Sequence, residues 1–145
     1  RNQEIGFVFQ AHHLLPQCSV IENVLIPTIP FPVKKHDEYY KKAVELLEYT
    51  GMAERIHHKP SELSGGEQLR TAVVRALINE PDILLADEPT GSLDNRTAME
   101  LAELLLKLNR EMDLTLVVVT HSSQIADMLD KKYELKDGLI YPLSS

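Results

Sequence analysis

The 145 residues suffice for one ordinary domain with a real core, and their formal charge of −7 argues against a duplex DNA or RNA partner, which needs a concentrated basic face. A single cysteine excludes an intramolecular disulfide framework and points to a reducing compartment. No apolar run approaches the roughly 18 residues needed to span a bilayer, and nothing at the start reads as a signal peptide, so any membrane link must come through a partner.

The chain opens almost inside a strand, at Arg1-Asn2-Gln3-Glu4-Ile5, with no initiator Met. The apolar run Ile5-Gly6-Phe7-Val8-Phe9 predicts that strand, and Gln10 ends it. Residues 11–17 read as a loop. Ser19 with Glu22 forms a capping-box pattern that starts a short helix over 20–25, and Pro27, Pro30 and Pro32 forbid its continuation. Asp37 opens a stronger helix to about residue 50, with Tyr40, Ala43, Val44 and Leu47 on one face and Gly51 as its stop. A short helical turn over 52–56 follows. No strand signal appears between Gln10 and Leu63, so this region is an all-helical insertion.

From about residue 66 to 79, Leu69, Val73, Ala76 and Leu77 recur at helical spacing, which puts Ser64-Gly65-Gly66 at a helix amino terminus. Glycines allow close backbone approach, a hydroxyl donates, and the helix dipole favours an anion there. That is the chemistry of phosphate binding. The plain alternative is a capped helix start in ordinary loop material.

Ile83-Leu84-Leu85-Ala86 has no polar alternation and predicts a strand buried on both faces inside a parallel sheet. It ends in Asp87 and Glu88, and carboxyl ends of such strands are where open α/β sheets place their ligands. Successive strand residues face opposite ways, so one acid can hold a metal while the other orients a water. A long helix over 95–112, a strand over 115–120 and a helix over 123–129 come next. A hairpin over 133–141 turns at Asp137-Gly138.

The phosphate-cradling pattern GxxxxGK[ST] is nowhere in the 145 residues, and the one Gly-Gly pair is followed by Glu67. His12-His13 and His57-His58 have no carboxylate or thiol at zinc spacing to complete a ligand set, so they read as loop histidines. Cys18 reads as a lone thiol, and Tyr39-Tyr40 as helix packing.

The segment Leu85-Ala86-Asp87-Glu88-Pro89-Thr90-Gly91-Ser92-Leu93-Asp94 resembles the Walker B and D-loop of the ATP-binding-cassette (ABC) ATPases. Gln10 resembles that family's Q-loop glutamine, Leu63-Ser64-Gly65-Gly66-Glu67 its LSGGQ signature, and His121, after Leu116-Val117-Val118-Val119-Thr120, its switch histidine. Order and spacing agree, and the likeness covers essentially the whole chain. It implies an α/β fold: part of a RecA-like parallel sheet, with residues 1–10 the Q-loop strand, 11–79 a helical subdomain carrying the signature, and 80–145 the catalytic core.

The resemblance further implies ATP as ligand and Mg²⁺ as metal. Glu88 would be general base and His121 a γ-phosphate contact; Asp87 would hold Mg²⁺, with Gln10 also near the metal and coupled to the transport partner. Ser64, Gly65, Gly66 and Glu67 would face the nucleotide of a second subunit in a sandwich homodimer, and Asp94 would touch that subunit's site. The missing GxxxxGK[ST] loop lies upstream of the Q-loop in this family, so the chain reads as a carboxyl-terminal fragment, inactive alone. Its intact parent would be a cytoplasmic ATPase held at the inner face of the cell membrane by a transmembrane permease, with no nucleic-acid partner.

Phe7-Val8-Phe9-Gln10, Leu14-Leu15-Pro16 and the 85–94 segment most resemble the subgroup serving lipoprotein release, macrolide-type export and the cell-division complex, although Ser92 stands where that subgroup usually has Asn. A regulatory, non-transport role in cell division is the alternative. Leu14, Leu15 and Pro27-Thr28-Ile29-Pro30-Phe31-Pro32 would form the surface that meets the permease.

Overall fold

The computed structural model describes residues 4–32 and 35–143; the opening stretch 1–3 lies outside them. Three parallel strands form the central sheet, β1 (Ile5–Phe9), β2 (Ile83–Asp87) and β3 (Thr115–Val119), in that spatial order. Their register puts Phe9, Asp87 and Val119 in one row at the carboxyl ends. Parallel neighbours need long crossovers. The first carries helices α1 (Val20–Leu25), α2 (His36–Tyr49) and α3 (Gly65–Leu77), and the second carries α4 (Asn95–Glu111). A single-turn α5 (Ser123–Ala126) and an antiparallel hairpin of β4 (Lys132–Lys136) and β5 (Leu139–Leu143) follow. The α/β class read from the sequence is the one observed.

Local chemistry explains most element ends. At α1 the Ser19 N–H donates to Glu22 Oε2 (2.7 Å) while the Glu22 N–H returns to Ser19 Oγ (3.4 Å), the expected capping box. Pro27 does not stop the helical path at once. It enters a 3₁₀ turn, Ile26–Thr28, near whose start its missing N–H costs nothing. Helix α2 begins at His36, so Asp37 lies in its first turn beside Glu38, at the positive end of the helix dipole. Gly51, at φ +74°, ends it. Asp137 and Gly138 both take positive φ, as a two-residue hairpin turn of the primed kind requires.

Two apolar cores meet at α3. Its Leu69, Val73 and Leu77 face the sheet with Val8, Leu84, Ala86 and the α4 leucines Leu101, Leu104, Leu105 and Leu108. Val74 and Ile78 instead face Val20, Val24, Ala43, Leu47 and Met52 of the helical region. One helix thus walls both compartments. Leu69, Leu77 and Leu84 are fully buried, and truncating such a side chain to Ala costs about 2–5 kcal/mol.

Two expectations need correction. Ala43, Val44 and Leu47 of α2 pack on the second core as expected, but the tyrosine that joins them is Tyr39, not Tyr40, which is exposed. Strand β2 is not buried on both faces: Leu84 and Ala86 are buried, but Ile83 and Leu85 only partly. Side chains alternate, and among the described residues the helices cover one face. On the other face Phe7, Phe9, Val117 and Val119 remain exposed.

Candidate functional site

Gln10, Asp87, Glu88 and His121 come together because they sit at or just past the carboxyl ends of three adjacent parallel strands. Asp87 closes β2 and is exposed. Glu88 leaves the strand at φ +45°, a left-handed conformation that costs a non-glycine residue about 1–2 kcal/mol, and its N–H donates to the Val119 carbonyl (2.9 Å). The two acids therefore part company through this backbone kink, not through simple strand alternation. Glu88 Oε1 is buried without a hydrogen bond, yet His121 Nε2 stands 3.2 Å from it. The pair is at ion-pair distance without an aligned N–H, and the His121 side chain is 97% exposed.

Gln10 lies over the turn that follows Glu88. A Cβ at Gly91 would come 3.0 Å from Gln10 Nε2, so glycine is what lets the amide pack against this backbone. The turn itself is closed by Gly91 N–H to Glu88 O and Leu93 N–H to Thr90 O (both 3.1 Å). Thr90 is buried beneath it.

A second group forms where α3 and α4 begin side by side. The Ser64 N–H and Oγ both donate to Glu67 Oε2 (2.8 Å each), and the Glu67 N–H donates to Ser64 Oγ (3.3 Å). The other carboxylate oxygen, Oε1, accepts from Arg55 Nε at 2.9 Å. The Arg55 guanidinium first, then the Ser64 backbone and hydroxyl, hold the Glu67 carboxyl down at about 2. Asp94 caps α4, accepting from Thr97 N–H (3.1 Å) and Thr97 Oγ1 (2.6 Å), bonds that lower its pKa. Gly65 and Gly66 have a structural reason beside any ligand. A Cβ on Gly66 would meet Thr97 Cγ2 at 2.7 Å, and one on Gly65 would meet Leu93 Cδ2 at 3.3 Å.

Three residues outside the sequence reading fix these groups. Arg55 reaches Glu67 from a 3₁₀ turn, Ala53–Arg55. Arg75 of α3 donates to the carbonyls of His12 (2.8 Å) and His13 (2.7 Å), pinning the loop that leaves Gln10. Burial lowers the His12 pKa, chiefly against the desolvation of its charged form. Farther along that loop the buried Asn23 amide donates to the carbonyls of Leu15, Cys18 and Ser19 and accepts from the Leu15 N–H (2.7 Å). The Arg55 and Arg75 partners lie 12 and 62–63 residues away, so no short-range pattern announces them, whereas the Asn23 bonds are local.

The donor set is compatible with a metal that keeps most of its own waters. Among the described residues no three His, Cys, Asp or Glu side chains converge. Mg²⁺ needs no such cage, since it keeps waters and takes one or two protein ligands together with substrate phosphates. An exposed carboxylate at Asp87, with the Gln10 amide over the neighbouring turn, fits that requirement. The orphaned Glu88 oxygen fits a group that accepts a hydrogen bond from a water.

A parallel sheet has acids at its carboxyl edge, and the turn after them leads into α4, whose start lies beside the serine-glycine start of α3; open α/β sheets place their ligands at that edge. The chain belongs to the ABC transporter family, whose model matches residues 1–91. It is 51% identical over 140 residues to the lipoprotein-releasing system ATP-binding protein LolD 1 of Rhodopirellula baltica, covering 97% of this chain and 61% of that protein. Against LolD of Legionella pneumophila strain Paris it is 46% identical over 143 residues, covering 97% and 62%. The chain thus spans about three fifths of the length of the curated relatives it matches. The dimeric structure of MJ0796, a bacterial ABC transporter cassette, superposes with a TM-score of 0.83 at 41% identity, over 100% of this chain and 65% of that one. A post-hydrolysis dimer of the same cassette bound to ADP and Pi gives 0.83 at 40%, with the same coverage.

Proposed function

We propose that these residues form part of an ATP-hydrolysing subunit of a transporter of the lipoprotein-release or exporter type, working as a sandwich of two such subunits beneath a transmembrane permease. The observation that carries this reading is the buried, unbonded Glu88 oxygen beside His121 at the sheet edge. Glu88 takes a proton from the water that attacks the γ-phosphate, and the left-handed kink aims it there. His121, free in solvent, contacts the γ-phosphate. Mg²⁺, when bound, supplies charge neutralisation at the phosphates, with Asp87 and Gln10 the residues that hold it. Asp94 faces the second subunit.

Ser64, Gly65, Gly66 and Glu67 present the amino end of α3 to the nucleotide of the facing subunit, where backbone N–H groups and the dipole favour a phosphate. The main phosphate cradle is of the GxxxxGK[ST] kind, which these 145 residues do not contain, so the chain by itself should show no turnover. The division into 1–10, 11–79 and 80–145 follows the same reading, with α3 as the wall both cores share. Leu15 and Ile29, both exposed, are the apolar groups offered to the permease, whereas Phe31 packs on Tyr39. No helix among the described residues is long and apolar enough to cross a membrane, in keeping with attachment through that partner.

The two-subunit arrangement is tested by mixing complete subunits carrying Ser64→Arg with others carrying Glu88→Gln. If Ser64 acts in trans, one composite site of the mixed dimer keeps both residues and hydrolyses ATP, while the other holds both defects. A mixed dimer without activity contradicts the arrangement.

A further inference from the structure

We propose that Arg55 is a charge-compensating positioning residue: it cancels the Glu67 carboxylate so that a phosphate can approach the amino end of α3. The inference rests on the reading of Ser64 to Gly66 as a phosphate-facing surface and deepens it.

Glu67 folds back over the start of α3, with Oε2 on the Ser64 N–H and hydroxyl. A carboxylate there complements the helix dipole and steadies the turn. It also puts a full negative charge where the incoming anion must come. Two like charges a few ångströms apart near a protein surface repel more strongly than a helix terminus attracts an anion, so an uncompensated carboxylate would oppose the approach. Arg55 engages the remaining oxygen, Oε1, at 2.9 Å, so both carboxylate oxygens are occupied and the pair carries no net charge.

The arginine is placed for this role. Its backbone closes the 3₁₀ turn through Arg55 N–H to Met52 O and His58 N–H to Arg55 O (2.9 Å each). The Glu67 side chain is 28% exposed and that of Arg55 41%, so the pair lies at the surface where a second subunit would arrive. Glu67 is also hydrogen-bonded to the Ser64 hydroxyl whose orientation matters, so Arg55 acts through Glu67 and not on the ligand.

The experiment measures the ATP concentration for half-maximal dimerisation of the complete subunit, in a Glu88→Gln background to prevent turnover, with Ser64→Arg as control. Arg55→Gln should raise that concentration roughly five- to tenfold at low salt, and the rise should shrink as ionic strength increases. Arg55→Lys should stay near the parent. The double variant Arg55→Gln with Glu67→Gln, which removes both charges, should return close to the parent. Glu67→Gln alone, which leaves Arg55 unopposed, should lower the concentration, and this arm holds even if Arg55→Gln folds poorly. A double variant as impaired as Arg55→Gln alone, or a rise that ignores salt, makes Arg55 a structural residue and overturns the proposal. If Ser64→Arg abolishes dimerisation while neither Arg55→Gln nor Glu67→Gln shifts it, compensation is wrong although the surface is right. If Ser64→Arg also leaves dimerisation unchanged, the reading of the surface itself fails.

Discussion

Glu88 Oε1 and His121 Nε2 stand 3.2 Å apart across the ends of the adjacent parallel strands β2 and β3. One partner is partly buried behind a left-handed backbone, and the other is almost wholly in solvent. The backbone bond from the Glu88 N–H to Val119 O sets this spacing, so the acid is held by the neighbouring strand and not by its own side-chain contacts. If Glu88 is the proposed base, this anchoring holds it independently of the exposed histidine.

The Glu67 cluster should make stability depend on acid. Its folded pKa of about 2 lies below the ordinary 4.5, so its contribution is fully present above about pH 4.5 and is lost as pH falls toward 2. The side chain is 28% exposed, which reduces the contribution to about 1 kcal/mol through solvent screening. Urea unfolding across that window should show the loss, and Glu67→Gln should flatten it. An unchanged pH slope in the variant would assign the effect to other carboxylates.

Gly66→Ala should destabilise the subunit by about 1–3 kcal/mol, because its Cβ collides with Thr97 Cγ2 at 2.7 Å where α3 and α4 begin. Thr97→Ser removes that methyl and keeps the hydroxyl bonded to Asp94. The double variant should regain most of the loss in a denaturant titration. Additive losses would mean the glycine matters for another reason.

Helices, turns and caps were legible in the sequence wherever the signal was local. The Ser19 and Glu22 box, Gly51 at positive φ, the Asp137-Gly138 turn and the apolar strand before Gln10 each name their own structure within a few residues. Which tyrosine of α2 turns inward was not, because Tyr39 and Tyr40 are equally apolar and only packing on Phe31 and the second core selects between them. The site residues at strand ends were readable as motifs. Their fixings were not: Arg55 and Arg75 reach partners set by the fold, and the kink at Glu88 is a backbone state that no alternation pattern announces.

Arg75→Met should loosen the loop after Gln10. It removes two bonds, one part-buried to the His12 carbonyl and one exposed to the His13 carbonyl, at a cost of about 1–3 kcal/mol. Amide exchange should quicken over residues 11–17, and hydrolysis in the complete subunit should fall more than ATP binding. Unchanged exchange there would show that Asn23 alone holds the loop.

The proposed role of Glu88 as the base is tested by ATP binding and hydrolysis in the complete subunit carrying Glu88→Gln. The amide keeps the shape of the carboxylate but does not accept the water's proton. ATP affinity should stay within about twofold of the parent, hydrolysis should fall by about 10²-fold or more, and an ATP-bound dimer should accumulate. Hydrolysis at the parent rate would contradict it and move the base to another residue.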